Sequence, residues 1–277
     1  MSCKNCNNDL KAEAVYCNNC GTKNRPSEID ELEDNESDLC LDLGDGTQIP
    51  FIMDLGHGSK MYLTGMGPCS ERANYYFSLA IEAIERDELY EALEYITRSI
   101  ELFELDELNI NYQPYYYRGK IYRWLKQNDK AVSDQKKVVC EFAEALSKDE
   151  ASDLVFFFNN LGIEAGKNQK YQDAIEYYTL AIRVGPEEIG VIYNRGTIYE
   201  FLGQYDLALK DYTKVLELSN KDEDVIMRKV DILIYQGKLN EAKETILSGL
   251  SFDPENQEFL IRKVRIDSIS SIRESQI

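Results

Sequence analysis

Apolar residues recur at intervals of three and four from residue 73 toward the end of the chain, the spacing that buries one face of an α-helix. The pattern also repeats over a longer distance, because a shift of 34 residues carries Gly162 to Gly196. The same shift carries Tyr171 to Tyr205, Ala174 to Ala208 and Tyr178 to Tyr212. A period of this length, holding two amphipathic stretches, predicts a repeated pair of helices.

Extending the register predicts five helical hairpins, at residues 73–106, 112–145, 155–188, 189–222 and 223–256. Insertions separate the first hairpin from the second and the second from the third, at joints where extra residues are best tolerated. The second helix of the second hairpin is expected to run on toward Leu146. Residues 257–277 are expected to form a capping helix that carries Phe259, Ile261, Val264 and Ile266 among polar residues.

Small residues stand where the two helices of a hairpin must approach each other. Gly196 and Ala208 allow close contact in the fourth hairpin, and tyrosines fill the adjoining gaps. These residues, recurring in register, resemble the tetratricopeptide repeat. The resemblance covers residues 73–277 and implies an all-α fold: a right-handed α-solenoid of five hairpins with a C-terminal capping helix. It also implies that the protein binds other proteins rather than catalysing a reaction.

In tetratricopeptide proteins the first helix of each hairpin lines a concave groove that binds partners. The resemblance places nine residues in that groove: Phe77, Tyr116, Lys120, Trp124, Asn159, Tyr193, Asn194, Thr197 and Met227. The set is aromatic and amphipathic rather than basic, which suits an extended peptide or an amphipathic helix. The alternative for several of the aromatic residues is packing within their own hairpins.

One subgroup of the family binds the C-terminal carboxylates of chaperones through a clamp of Lys, Asn and Arg side chains. In this chain Asn194 and Arg228 match the clamp. Asn159, Ile163 and Asp224 occupy its other three places, so this carboxylate clamp is not expected.

Two Cys-x-x-Cys pairs lie close to the N-terminus, Cys3 with Cys6 and Cys17 with Cys20. Four thiolates on two tight turns can surround one Zn²⁺ as a tetrahedron, and the pattern resembles the short zinc ribbons of bacterial multidomain proteins. Residues 1–25 are therefore predicted to form a small zinc ribbon with four cysteine ligands. Because four sulfur ligands fill the coordination shell, the ion is expected to be structural. Rubredoxin-like iron, which uses the same ligands, is the alternative.

The formal net charge of −19 argues against nucleic acid and anionic membranes as partners. Residues 26–59 hold ten acidic side chains and no Lys or Arg, so residues 26–72 are predicted to be an acidic linker. The later, more apolar part of this linker could form a small β strap. The chain has no apolar run near the ~20 residues that span a bilayer, and its N-terminus does not resemble a secretory peptide, so a cytoplasmic location is expected.

Residues for catalysis are scarce. His57 is the single histidine and stands in a Gly-His-Gly turn sequence, while Cys140 is expected to be a packed thiol. The sequence therefore predicts a non-catalytic adaptor that binds a partner peptide or helix in its groove, with the ribbon as a second contact module and one zinc ion as its cofactor. The alternative is a ribbon that binds nucleic acid or the transcription or translation machinery, with the helical stack as a regulator. Neither a membrane nor a small-molecule substrate is expected as a partner.

Overall fold

The computed structural model describes residues 69–105, 111–219 and 221–274, four short strands, and Cys6, Tyr16, Cys17 and Lys23. Its contacts divide the chain into two compact units, Met1–Glu141 and Phe142–Ile277. Cys3, Cys20, His57 and the acidic stretch 28–38 lie outside the described residues.

The first unit contains two β-hairpins and two helical hairpins. Strand β1 (Leu41–Asp42) pairs antiparallel with β2 (Gln48–Ile49), and β3 (Ile52–Asp54) pairs antiparallel with β4 (Lys60–Tyr62). These strands fall in the segment for which the sequence favours a small β strap. Helices α1 (Cys69–Glu85) and α2 (Leu89–Leu105) form the first helical hairpin, and α3 (Gln113–Trp124) and α4 (Asn128–Phe142) form the second.

The second unit contains three further hairpins and a last helix. Its pairs are α5 (Lys148–Lys167) with α6 (Tyr171–Val184), α7 (Ile189–Phe201) with α8 (Tyr205–Leu218), and α9 (Glu223–Tyr235) with α10 (Leu239–Phe252), followed by α11 (Gln257–Glu274). The all-helical fold predicted for this part of the chain is confirmed over residues 69–105, 111–219 and 221–274.

Small residues hold the helices of a hairpin close together. Gly162 of α5 faces the ring of Tyr178 on α6, and a Cβ at this glycine would lie 2.5 Å from the ring. Gly196 of α7 faces Tyr212 in the same way, at 3.0 Å. Since Tyr178 and Tyr212 are both buried, the tyrosines fill the space that the missing side chains leave. The close approach inferred from the sequence is therefore present.

The turn inside each hairpin uses one residue in the left-handed conformation, at the same place in all five. These residues are Asp87, Lys126, Gln169, Gly203 and Gly237, with φ between 58° and 73°. In the fourth hairpin the amide of Gly203 donates to the carbonyl of Glu200 and that of Gln204 to the carbonyl of Tyr199, the pattern that ends a helix sharply. The backbone conformation of the turns is therefore repeated along with the helices.

Helix boundaries differ from the prediction at the joint between the second and third hairpins. Helix α4 ends at Phe142 rather than continuing toward Leu146, and a 3₁₀ turn, Ala143–Ala145, follows it. Helix α5 then begins at Lys148, because Ser147 and Glu150 form a capping box that satisfies the first free amides. The third hairpin therefore begins seven residues before the predicted residue 155.

The prediction for Cys140 was wrong, since this residue is exposed. Helix α4 buries Ala131, Gln135, Val138 and Val139, which lie on one face, and Cys140 points away from that face. In the capping helix α11, Phe259 and Ile266 are buried, whereas Ile261 and Val264 are exposed. Of the four apolar residues named for the predicted capping helix, Phe259 and Ile266 therefore build the contact with the last hairpin.

Candidate peptide-binding groove and metal site

A cleft of about 370 Å³ lies between α5 and α7, the first helices of the third and fourth hairpins. Phe156 and Asn159 line it from α5, and Gly190, Tyr193 and Asn194 line it from α7. Phe156 is 65% exposed although it is a large apolar side chain. A Cβ at Gly190 would have no atom within 4 Å apart from its chain neighbours and the backbone of its own helix. The cleft is thus open and presents an aromatic ring to solvent.

Two asparagines provide polar groups beside this ring. The side-chain amide of Asn194 donates a hydrogen bond to Oδ1 of Asn159 over 3.2 Å, and Thr197 Oγ1 donates to the carbonyl of Asn194 over 2.8 Å. The first of these contacts holds the two side-chain amides together, and both asparagines line the cleft. Amides with set directions can pair with the backbone of an extended peptide, which carries both donors and acceptors.

An ion-pair network occupies the next part of this surface, between α7 and α9. Arg228 donates to Asp224 Oδ2 over 2.9 Å and to Glu200 Oε2 over 3.1 Å, and Tyr193 Oη donates to the same Asp224 oxygen over 2.6 Å. Burial alone would lower the pKa of Arg228, but the hydrogen bonds to the two carboxylates raise it well above its ordinary value. Arg228 therefore keeps its positive charge, and Glu200 and Asp224 balance that charge at the place where the clamp needs it.

The predicted groove residues of the first unit have another arrangement. Tyr116 is only 4% exposed, and the ring of Phe77 packs edge-on against Tyr117 with centroids 5.6 Å apart. The ammonium group of Lys120 lies 5.4 Å from the Tyr116 ring and 5.7 Å from the ring of Trp124, which is half exposed. Tyr116 thus belongs to the interior of its hairpin. Trp124 is the ring of this set that solvent reaches most.

The structure brings Asn159, Tyr193 and Asn194 together at the cleft, with Thr197 behind them. Met227 is half-buried against the core of the fifth hairpin. Phe156, which is not among the nine predicted groove residues, contributes the most exposed ring of the cleft. Helical spacing shows that Phe156 lies one turn before Asn159, but its exposure depends on the adjacent hairpin.

Two buried ion pairs were missed by sequence reasoning. Arg195 donates twice to the carboxylate of Asp211, over 2.9 and 2.8 Å, and Arg118 donates twice to Asp134, over 2.8 Å each. Each Arg directly precedes the glycine of its first helix, and each Asp lies sixteen residues further on. Because the same spacing from Arg to Asp occurs in two hairpins, the sequence contained a signal from which the two ion pairs could have been predicted. The hydrogen bonds to Asp211 raise the pKa of Arg195 despite its burial.

The proposed metal site is described in part. Cys6 Sγ and Cys17 Sγ lie 3.5 Å apart, and Cys17 is buried. Two thiolates bound to one zinc ion at about 2.3 Å each are separated by about 3.8 Å in a tetrahedron, whereas a disulfide bond measures about 2.05 Å. The pair thus fits shared metal ligation. Among the residues that are described, no group of three or more His, Cys, Asp or Glu side chains is placed to hold a metal, with Cys3 and Cys20 outside that part of the chain.

Helix pairs joined by equivalent left-handed turns, with small residues at the contact between helices, define the class of helical-hairpin repeat proteins. A family model described as tetratricopeptide repeat matches residues 191–222, most of the fourth hairpin. The fourth hairpin is therefore similar to a tetratricopeptide repeat. No helix in the described residues is both long enough and apolar enough to cross a membrane.

Curated relatives match part of this chain. The Hsp70-Hsp90 organizing protein of Triticum aestivum is 38% identical over 99 residues, which cover 36% of this chain and 17% of that protein. Tetratricopeptide repeat protein 16 of Homo sapiens is 32% identical over 138 residues, 49% of this chain and 15% of its own length. A solved structure titled as the first TPR of Spaghetti (RPAP3) bound to the HSP90 peptide SRMEEVD is 23% identical, with a TM-score of 0.39 over 43% of this chain and 95% of the other. The chain thus spans about a sixth of the length of the wheat relative.

Proposed function

We propose that this protein is a non-catalytic adaptor that binds a partner peptide or helix in the cleft between α5 and α7. The observation that carries the proposal is the exposed ring of Phe156 in a cleft with room for a large side chain. The similarity to proteins that are named Hsp70-Hsp90 organizing proteins supports a role in protein interaction.

The chemistry of the cleft favours a peptide with a large apolar side chain over one that is recognised by its terminal carboxylate. Phe156 offers apolar contact, and Asn159 and Asn194 offer hydrogen bonds to a backbone. An acidic C-terminus would meet Glu188 at the rim and Asp224 in the network beyond. Since Arg228 is already paired with Glu200 and Asp224, the negative charges of these two carboxylates oppose the approach of another one.

The test is selection of binders for the full chain from a displayed library of random peptides, followed by affinity measurement on single peptides. We expect selected peptides to share a large apolar residue, and Phe156→Ala to weaken them about tenfold, as loss of a central ring does at other interfaces. Leu207→Ala is the matched control, because this side chain is also exposed (44%) but lies on α8, outside the cleft.

Two results would contradict the proposal. One is a set of selected peptides that bind Phe156→Ala as tightly as the unchanged protein. The other is tight binding of the acidic peptide SRMEEVD that depends on its free carboxylate, because this would show that the clamp operates despite the pairing of Arg228. Circular dichroism of each variant checks that the helices remain folded.

The N-terminal segment is proposed to hold one structural zinc ion through Cys3, Cys6, Cys17 and Cys20, and to act as a second contact module. The short distance between Cys6 Sγ and Cys17 Sγ supports this assignment. Bound zinc would join two turns that have little apolar surface of their own. Elemental analysis of the purified chain is expected to find one zinc per chain, and a Cys17→Ser variant is expected to lose it. Iron at this stoichiometry, or retention of zinc by the variant, would refute the assignment.

A further inference from the structure

The residues that flank the second cysteine pair do not stand free of the helices. Tyr16, which directly precedes Cys17, donates a hydrogen bond from its hydroxyl to Glu94 Oε2 on α2. Lys23 Nζ donates to the other carboxylate oxygen, Glu94 Oε1, over 3.1 Å. Both oxygens of one carboxylate are thus held by side chains from the N-terminal segment.

Further contacts hold the same residues together. Tyr16 and Lys23 form an antiparallel β-bridge, and the ammonium group of Lys23 lies 5.6 Å from the centre of the Tyr16 ring. That ring also lies against Tyr90, with centroids 6.3 Å apart. Tyr90 and Glu94 are one helical turn apart, so they share a face of α2. The contact therefore has an aromatic part and an ionic part on one surface.

Charge explains why this surface attracts the N-terminal segment. Helix α2 carries four glutamates and one arginine, whereas residues 1–25 have a local excess of two positive charges in a chain of net charge −19. The two regions are therefore of opposite sign. Glu94 is about one-quarter exposed, so its contacts are less screened by solvent than those of Glu101 on the same helix.

The cysteines link this surface to the metal. Cys17 and Cys20 both lie between Tyr16 and Lys23 in the sequence, so a metal ion that binds the two thiolates closes the turn on which Tyr16 and Lys23 stand. With the metal bound, the phenol of Tyr16 and the ammonium group of Lys23 are held at the spacing that matches the two oxygens of Glu94. Without the metal, the contact would also have to order both side chains, which costs conformational entropy.

We propose that α2 is the docking surface for the zinc ribbon of the same chain, with Tyr16 and Lys23 holding Glu94, and that metal binding stabilises the first helical hairpin through this contact. The inference rests on the zinc site of the proposed function. If the ribbon docks on α2, the ribbon and the first hairpin present one continuous surface to a partner. They are then not two modules that move independently on a linker.

Hydrogen–deuterium exchange of the full chain, read by mass spectrometry over peptides from α2, tests the proposal. Amides of α2 are expected to exchange about fivefold more slowly in the zinc-loaded chain than after treatment with EDTA, the change that a partly exposed charged contact brings to local opening. The Glu94→Gln variant should still contain one zinc per chain but lose this difference. Glu101→Gln removes the same charge from the same helix, and because the ion pair of Glu101 is with Arg98 of α2 itself, this variant should keep the difference.

The possible outcomes separate this inference from the proposed function. Zinc-dependent protection that persists in Glu94→Gln overturns the docking contact, as does zinc binding without any protection of α2, and in both cases the metal site itself stands. A chain that binds no zinc overturns the metal site and the docking inference together. None of these results bears on the cleft, which lies in the other unit and is tested with peptides.

Discussion

Replacing Gly162 with alanine probes the packing that the repeat depends on. A Cβ at this position would lie 2.5 Å from one ring carbon of Tyr178 and 2.7 Å from the next, well inside the 3.5–4.0 Å at which carbon atoms attract. Tyr178 is buried, so its ring has no open space to enter. Overpacking of this kind destabilises by about 1–3 kcal/mol, against a gain of about 1 kcal/mol from removing a helical glycine. We expect a net loss of up to about 2 kcal/mol.

Gly166→Ala is the matched comparison, one turn further along the same helix. Its new methyl group would meet only Ile198 Cδ1, at 3.5 Å, which is ordinary van der Waals contact. Here the gain in helix propensity has no steric opposition, so stability should rise by up to about 1 kcal/mol. The same chemical change is therefore expected to have opposite signs at two neighbouring positions of α5.

Urea denaturation of the full chain, followed by circular dichroism, measures both changes as shifts in midpoint at equal slope. A third variant, Gly162→Ala combined with Tyr178→Ala, isolates the clash, because alanine at 162 should no longer destabilise once the ring is absent. The packing argument is refuted if Gly162→Ala is as stable as Gly166→Ala, or if removing the ring leaves its cost unchanged.

Further predictions concern the ion pairs, the turns and pH. Asp211→Ala leaves Arg195 buried without its ion-pair partner and is expected to destabilise the protein by about 3–5 kcal/mol in the same urea assay. Alanine at the exposed neighbour Lys210 should be near neutral. Equal effects of the two changes would contradict the role of the ion pair. Gln169→Gly places glycine, which adopts the left-handed conformation without steric strain, at a turn position with φ of 60°. The urea midpoint should rise by the equivalent of about 0.5–1 kcal/mol, and a lower midpoint would show that Gln169 is not strained. Burial acts to raise the pKa of Asp224, but hydrogen bonds from Tyr193 and Arg228 lower this pKa below its ordinary value of about 3.9. The contribution of Asp224 to stability is therefore fully present above the ordinary pKa and is lost as pH falls through the lower pKa of the folded protein. Melting temperatures recorded against pH should show this acid-side loss reduced in Asp224→Asn, and an unchanged profile would count against the network.

Much of the helical architecture follows from the chain read locally. The spacing of apolar residues identifies helices, because it depends on residues within one or two turns of each other. The 34-residue recurrence of Gly162 and Gly196 identifies hairpins, because it shows that one pattern of residue types is repeated along the chain. The boundary between α4 and α5 was predicted less accurately. The capping box is visible in the sequence as Ser147 followed by Glu150, but the apolar pattern of α4 continues past Phe142, where the helix ends.

Exposure was harder to infer than helix position. Tyr116 and Tyr193 hold equivalent places in their hairpins, yet Tyr116 is buried while Tyr193 is half-buried and bonded to Asp224. Both are aromatic residues on the first helix of a hairpin, so the sequence pattern treats them alike. The difference arises from the side chains that neighbouring helices bring against each ring.

The sequence by itself determined the helical class of this protein, the register of its five hairpins and the cysteine pairs that suit a metal, since each depends on residue type and spacing along the chain. Only the tertiary structure decided that Phe156 is the exposed ring of the cleft, that Glu200 and Asp224 balance the charge of Arg228, and that Tyr16 and Lys23 meet at Glu94. The physical reason is that burial and ion pairing are properties of surfaces in contact, and Glu94 lies more than seventy residues from Lys23 in the sequence.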